Sequence, residues 1–154
     1  MKNSYKYFAD YYDIYMEEET YADWFEYLKK ISGIYSFISK EILDLCCGTG
    51  IMALLFAKEK AKVTGVDISG EMLKFADERA FKNNVRFNLM LSDVLKFKSS
   101  KKFDFIYSAC DSLNYIDSKE DLLFLFNNVY SLLKDNSVFT FDYITKENME
   151  NIQE

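Results

Sequence analysis

Three aspartates follow short apolar runs in the middle of the chain: Asp44, Asp67 and Asp93. Carboxylates accept hydrogen bonds from hydroxyl and amino groups, and they attract cations. The chain has no histidine, so the commonest general base and the commonest metal ligand are both missing. The pattern predicts a polar ligand site without a metal ion, and it does not single out a catalytic residue.

A glycine-containing loop follows the first of these runs, in the segment Asp44-Leu45-Cys46-Cys47-Gly48-Thr49-Gly50. Glycines between a strand and a helix let the backbone turn tightly and approach a ligand closely. Asp67 comes 17 positions after Gly50, where a carboxylate can accept bonds from both ribose hydroxyls. This favours a nucleotide site. The alternative is a plain tight turn with Asp67 as a helix cap, a role for which Ser69 competes.

Apolar runs and amphipathic stretches alternate from Glu41 onward. The runs predict strands at about 41–46, 62–67, 85–91, 103–110 and 137–144, and the stretches predict helices at about 50–60, 70–83 and 119–134. Strands joined by crossover helices form a parallel sheet covered on both faces. The expected fold class is therefore α/β, with a doubly wound, mainly parallel sheet whose ligand lies beyond the carboxyl ends of the strands.

The first 40 residues have a different character, aromatic and acidic. Apolar residues recur there at helical spacing behind a candidate cap at Thr20. These residues are Trp24, Leu28, Ile31, Tyr35 and Ile38. We expect residues 1–40 to form a helical N-terminal extension and residues 41–154 to form the α/β core.

The charge and the cysteine content limit the classes of partner and site that the protein can have. The chain has 19 basic and 25 acidic residues and a net charge of -6, the wrong sign for a surface that neutralises many phosphates, so a nucleic-acid partner is disfavoured. Cys46, Cys47 and Cys110 lack the spacing of a zinc site or a disulfide framework. Since there is no signal peptide and no apolar run near 18 residues in length, we expect a cytoplasmic protein without a membrane span.

Several segments together resemble the motif series of class I S-adenosylmethionine-dependent methyltransferases. They are ILDLCCGTG (Ile42 to Gly50), VDIS (Val66 to Ser69), SDV (Ser92 to Val94), DSLNY (Asp111 to Tyr115) and the aromatic lead-in from Tyr5 to Asp13. The resemblance implies a Rossmann-like fold, S-adenosylmethionine as the cofactor and a small molecule as the methyl acceptor. Cys46 stands where the family often has glycine, a position at which the family also accepts other small residues.

The resemblance also implies roles for individual residues. The 46–50 loop packs against the methionine part of the cofactor, Asp67 bonds the ribose, and Asp93 takes the adenine amino group. An aromatic flap with Tyr12 covers the cofactor, or else these aromatic residues dock a helix onto the core. The cofactor-binding residues predicted in this way are Tyr12, Asp44, Cys46, Gly48, Gly50, Asp67, Ile68, Met72, Asp93, Val94, Cys110, Asp111 and Asn114.

The pattern leaves several alternatives open. Asp111 and Asn114 also fit a capped loop, and Asp111, Tyr12 and Asp142 are the candidates for a base. The segment from Gly48 to Ala53 fits G-x-G-x-x-A, so a nicotinamide oxidoreductase is the rival enzyme, and a cofactor-binding module without a substrate site is the rival of another class. The family has two more strands after Thr145, so we expect a fragment of a longer protein. The alternative is a short natural form whose last sheet edge is left open or is completed by another chain.

Overall fold

The computed structural model describes residues 18–34 and 36–145 of the chain. Its strands are β1 (Glu41–Leu45), β2 (Lys62–Asp67), β3 (Phe87–Leu91), β4 (Phe103–Ser108) and β5 (Leu133–Phe141). They form one sheet in the order β3-β2-β1-β4-β5, and every neighbouring pair is parallel. The carboxyl ends of all five strands therefore meet at one edge of the sheet.

The described residues contain four α-helices: α1 (Glu18–Ser32), α2 (Ile51–Lys58), α3 (Gly70–Lys82) and α4 (Lys119–Leu132). Helix α1 precedes the sheet, α2 and α3 connect β1 to β2 and β2 to β3, and α4 connects β4 to β5. A short 3-10 helix, Ser112–Tyr115, follows β4. The predicted doubly wound α/β fold is confirmed. None of these helices has the length and apolar character that crossing a membrane requires.

Side chains that alternate along β1 and β4 divide the core between the two faces of the sheet. Ile42, Phe105 and Tyr107 belong to one cluster, together with buried residues of α1 and α2. Leu43 and Ile106 belong to the other, together with Leu125, Val129 and Leu132 of α4. Burying one such side chain contributes about 1.5–3 kcal/mol. Both faces are thus covered, which holds the carboxyl edge of the sheet in a fixed arrangement.

The N-terminal helix is shorter than its apolar spacing predicts. It is described from Glu18 to Ser32, so Thr20 lies inside it and is not its first residue or its cap. Gly33 follows with a φ of 66°, a left-handed conformation that stops an α-helix. Ile31 lies within the helix as predicted, although it is 40% exposed. The helical repeat predicted as far as Ile38 is wrong at Ile38, which lies beyond the end of the helix, and Tyr35 lies outside the described residues.

The fifth strand begins earlier than predicted, at Leu133, directly after α4. Residues 134–136 are polar and exposed, a pattern that indicates a turn, but at a sheet edge polar side chains can point into solvent. Phe103 pairs with Leu133 and Phe105 pairs with Val138, so extra residues bulge from β5, and Asn136 takes a φ of 59°. The strand ends at Phe141, before the predicted limit of 144.

The loop between β1 and α2 needs both of its glycines. Gly48 and Gly50 have φ values of 52° and 76°, a region in which a residue with a Cβ is strained. Gly50 is also crowded, because a Cβ there would lie 2.9 Å from Cβ of Ala76 and 3.3 Å from the ring of Phe87. A Cβ at Gly48 would meet no described atom within 4 Å. Gly50 thus lets α2 and α3 pack closely, while Gly48 is needed for its conformation alone.

We expect Gly50→Ala to destabilise the protein more than Gly48→Ala. Both alanines carry the left-handed strain, of about 1–2 kcal/mol, and the contact with Ala76 adds about 1–3 kcal/mol of overpacking at position 50 alone. Urea unfolding of the two variants measures the difference in the free energy of unfolding. Equal losses would show that the close approach of α3 does not constrain this loop.

Candidate functional site

A cavity of about 790 Å³ opens at the carboxyl edge of the sheet, where a doubly wound fold holds its ligand. Residues that follow each of the five strands line it. Its described lining contains six aspartates and no lysine or arginine: Asp67, Asp93, Asp111, Asp117, Asp121 and Asp142. The potential inside such a cavity is negative, which favours a ligand with positive charge.

Asp67, the last residue of β2, ties the glycine loop to the start of α3. One of its carboxylate oxygens accepts the N–H of Gly48 and the other accepts the N–H of Ser69, both at 2.8 Å. Ser69 caps α3 by accepting the N–H of Met72, so Asp67 is not the cap of that helix. Each carboxylate oxygen has two lone pairs, so after these bonds each retains one acceptor position.

Asp67 is only 8% exposed. Burial raises the pKa of its carboxyl group, and the bonds from Ser69 and Gly48 act in the opposite direction. The walls beside it are apolar: Ile68, Met72, Val94 and Leu95 line the same cavity. These apolar walls lie next to a carboxylate that accepts two backbone hydrogen bonds. Such a site suits a ligand that combines a flat apolar group with hydroxyls.

Asp93 lies beyond the end of β3, where its side chain shapes the backbone. Its Oδ1 accepts the N–H of Leu95 at 2.9 Å, and its carbonyl accepts the N–H groups of Lys96 and Phe97. This turn brings Asp93 and Val94 to the cavity wall. The same side chain can therefore organise the loop and face a ligand.

Asp44 is buried in β1, with 2% of its surface exposed. It lies opposite Tyr107 of β4 in the sheet and accepts the tyrosine O–H at 2.7 Å. Burial raises the pKa of Asp44 to about 8, while the bond from Tyr107 acts against that rise and the nearby Asp67 adds to it. Asp44 lines an adjoining cavity of about 30 Å³ rather than the main one.

The segment after β4, residues 109–115, is the most distorted part of the cavity wall, and we call it the β4 loop. Cys110 and Asp111 have consecutive φ values of 60° and 57°, each costing about 1–2 kcal/mol in a residue other than glycine. Asp142 accepts both of their N–H groups, at 2.9 and 3.0 Å. Burial, followed by the nearby Asp142, raises the pKa of Asp111.

The three cysteines are free thiols. The pKa values of Cys46 and Cys47 are raised, chiefly because the thiols are buried. Burial also raises the pKa of Cys110, to about 11. The thiols therefore stay protonated at neutral pH and are poor nucleophiles. Cys46 and Cys110 contribute small, polarisable surface to the cavity, which they both line.

Most of the predicted site residues meet at this cavity. Those that line it are Cys46, Gly48, Asp67, Ile68, Met72, Asp93, Val94, Cys110 and Asp111. Gly50 packs against α3 instead, and the side-chain amide of Asn114 bonds the N–H and C=O of Ile144. Tyr12 lies outside the described residues.

The sequence patterns missed several lining residues. Tyr21 and Trp24 of α1 reach the cavity, as do Tyr115, Ile116, Asp117, Ser118 and Asp121 from the segment that leads into α4. Ser118 caps α4 by accepting the N–H of Asp121, so Ser118 followed by Asp121 is a sequence pattern that predicts the start of a helix. That signal locates a helix but does not say that its first turn faces a ligand.

Comparison with known proteins points to one family. A family model described as a methyltransferase domain matches residues 42–136. The chain is 34% identical over 150 residues to a presumed methyltransferase of Geobacillus sp. (strain WCH70), covering 97% of this chain and 61% of that protein. It is 30% identical over 112 residues to a ubiquinone biosynthesis O-methyltransferase of Rickettsia canadensis, covering 72% of this chain and 46% of that protein.

A solved structure agrees with these sequence matches. An S-adenosylmethionine-dependent methyltransferase from Clostridium acetobutylicum superposes with a TM-score of 0.79 at 27% identity, covering 97% of this chain and 61% of that chain. The chain thus spans less than two thirds of the length of each protein compared.

Asp44 makes the stability of the protein depend on pH. Its carboxyl group has a pKa of 3.8 in the unfolded chain and about 8 in the folded protein. Between these values the folded protein keeps a proton that the unfolded chain releases, so the free energy of unfolding falls as the pH rises from 4 to 8. Asp44→Asn keeps the acceptor for Tyr107 and removes the titration, so we expect it to stabilise the protein above pH 8.

Urea unfolding near pH 4 and above pH 8 measures this effect. The free energy of unfolding of Asp44→Asn, relative to that of the wild type, should be highest at the higher pH and lowest at the lower pH. Asp77→Asn, at an exposed position of α3, is the matched control and should follow the wild-type curve. Parallel wild-type and Asp44→Asn curves across this range would contradict the buried, protonated state of Asp44.

Proposed function

Because the chain belongs to the class I S-adenosylmethionine-dependent methyltransferases, we propose that it forms the cofactor-binding core of an enzyme that methylates a small molecule. The observation that carries this proposal is the cavity at the carboxyl edge of the sheet, whose described lining has six aspartates and no lysine or arginine. S-adenosylmethionine carries a sulfonium and an ammonium group, and a negative cavity suits such a cation.

The adenosine part of the cofactor fits the wall formed after β2 and β3. Asp67 retains an acceptor position on each carboxylate oxygen after binding Gly48 and Ser69, so it can take both ribose hydroxyls. Ile68, Met72 and Val94 provide apolar surface for the adenine ring. In this proposal Asp93 accepts a hydrogen bond from the adenine amino group.

The methionine part fits the wall formed after β1 and β4. Cys46 offers a small side chain and Gly48 allows close backbone approach, and Cys110 and Asp111 line the same cavity. Asp44 lies behind this wall, bonded to Tyr107, where it supports the loop. Asn114, bonded to Ile144, fits a supporting role better than direct contact.

The bound cofactor supplies a methyl group on an already activated leaving group. The protein then has to orient the acceptor and exclude water, and positioning of this kind can supply much of the rate. Asp111 lines the cavity with a raised pKa, so among the described residues it is the better candidate to accept a proton from an acceptor. Asp142 is a poorer candidate, because a proton taken up there would disturb the bonds that hold the N–H groups of Cys110 and Asp111.

A small methyl acceptor is supported by the negative cavity, which repels the phosphate backbone of a nucleic acid, and by the ubiquinone-biosynthesis relative.

Tyr21 and Trp24 line the cavity, which supports a lid role for the N-terminal extension, residues 1–40, over the core, residues 41–154. A cytoplasmic location agrees with the three free thiols. Association through the edge of β5 stays a prediction. The family match sets the nicotinamide oxidoreductase aside.

Calorimetric titration with S-adenosylhomocysteine tests the proposal. We expect the wild-type chain to bind it and NADH to give no response. Asp67→Ala should weaken binding by about tenfold or more, because it removes hydrogen bonds to a charged acceptor and releases the N–H of Gly48.

Asp77→Ala is the matched control, since it removes an exposed carboxylate from α3 outside the cavity. It should bind as the wild type does. Unchanged affinity in Asp67→Ala would refute the ribose assignment, and binding of NADH without any response to S-adenosylhomocysteine would overturn the proposed function.

A further inference from the structure

The carboxylate of Asp142 occupies a small anion site made entirely of backbone. Cys110 and Asp111 both have left-handed φ values, and their consecutive N–H groups point at the same side chain, at 2.9 and 3.0 Å. Successive N–H groups that point to one side of a turn form a concave nest that binds an anion. Here the anion is a side chain of the same protein, 32 residues after Cys110 and 31 residues after Asp111.

A second contact fixes the same two segments together. The side-chain amide of Asn114 donates to the C=O of Ile144 and accepts its N–H, both at 3.2 Å. Four hydrogen bonds therefore latch the β4 loop onto the residues that follow β5. The contacts of Asn114 by themselves leave the conformation at Cys110 and Asp111 undetermined, since they act further along the loop.

The left-handed pair needs a cause, because residues other than glycine seldom adopt this conformation, and only Asp111 of the two is a type that favours it. The 3-10 helix that follows has no side-chain cap bond from Asp111, its N-cap residue, so capping does not supply the cause. The side chain of Ser112 spans the pair by donating to the C=O of Ala109 at 2.8 Å, but the carboxylate of Asp142 is what holds the N–H groups of both residues directly. Cys110, Asp111 and Ser112 line the cavity, so this conformation shapes the wall.

We propose that Asp142 is a positioning residue: its carboxylate holds Cys110 and Asp111 in the left-handed conformation that aligns the β4 loop with the ligand. The proposal rests on the proposed function for the identity of that ligand. It differs from a role as base or as a direct contact, since Asp142 acts through the backbone of two other residues. Its substitution therefore has a signature that a direct contact lacks.

Amide hydrogen exchange by NMR, without ligand, tests the nest itself. In the wild type the N–H groups of Cys110 and Asp111 should be protected. In Asp142→Asn, where the side-chain NH2 meets one of them, at least one should exchange about tenfold faster relative to the N–H of Leu43 in β1. Asp117→Asn removes a charge from the same cavity without touching the nest, so it should leave both ratios unchanged.

A double-mutant cycle with S-adenosylhomocysteine tests the effect on the ligand. Asp142→Asn should weaken binding about tenfold in the wild-type background. It should weaken binding much less in a Cys110→Gly background, because glycine adopts left-handed φ without help. Lys60→Gly is the matched control, since Lys60 has a φ of 64° but lies outside the cavity lining. In the Lys60→Gly background, Asp142→Asn should weaken binding by the same factor of about ten as in the wild type.

The outcomes separate the two proposals. Unchanged exchange in Asp142→Asn, or equal losses of affinity in the Cys110→Gly and Lys60→Gly backgrounds, would overturn the positioning role. If Asp142→Asn does not fold, Cys110→Gly/Asp142→Asn is compared with Cys110→Gly, and exchange is measured at the N–H of Asp111, which still needs the carboxylate of Asp142 in that background. If the wild type does not bind S-adenosylhomocysteine, the proposed function fails, while the exchange measurement still decides whether Asp142 sets the loop.

Discussion

Hydrogen bonds from backbone N–H groups to carboxylates hold the cavity together. Asp67, Asp93 and Asp142 lie at the carboxyl ends of three different strands. Asp67 and Asp142 each accept a backbone N–H of a neighbouring loop, and Asp93 accepts one within its own loop. No lysine or arginine lines the cavity in the described part of the chain. Dipoles of the backbone stabilise these carboxylates without cancelling their charge, so the cavity is both ordered and negative.

This arrangement depends on the parallel sheet and on strain stored at its edge. Only a parallel sheet brings the carboxyl ends of consecutive strands to one side, and the two buried clusters on its faces fix their spacing. Around the cavity Cys46, Cys110 and Asp111 all have positive φ. Strained residues of this kind persist where surrounding bonds over-determine them, and they concentrate at functional sites. For Cys110 and Asp111 these bonds come from Asp142, which is distant in sequence.

The sequence predicts features that arise from short-range patterns, and those are the ones confirmed. Apolar runs and helical stripes reflect burial, so the sheet, its parallel connections and α2 to α4 were predictable within a few residues. The start of β5 was not, because polar residues 134–136 lie at an exposed sheet edge. The role of Asp142 was hidden for another reason: its partners Cys110 and Asp111 are about 30 residues away, and a single aspartate is too weak a signal to predict two consecutive left-handed residues.

The central claim is that a negative cavity organised by Asp67 receives S-adenosylmethionine or its product. A crystal structure of the chain with S-adenosylhomocysteine tests it most directly. We expect both ribose hydroxyls on the carboxylate of Asp67, the adenine between Ile68 and Val94, and the methionine part beside the 46–50 loop. A ligand bound elsewhere, or with its ribose away from Asp67, would contradict the claim.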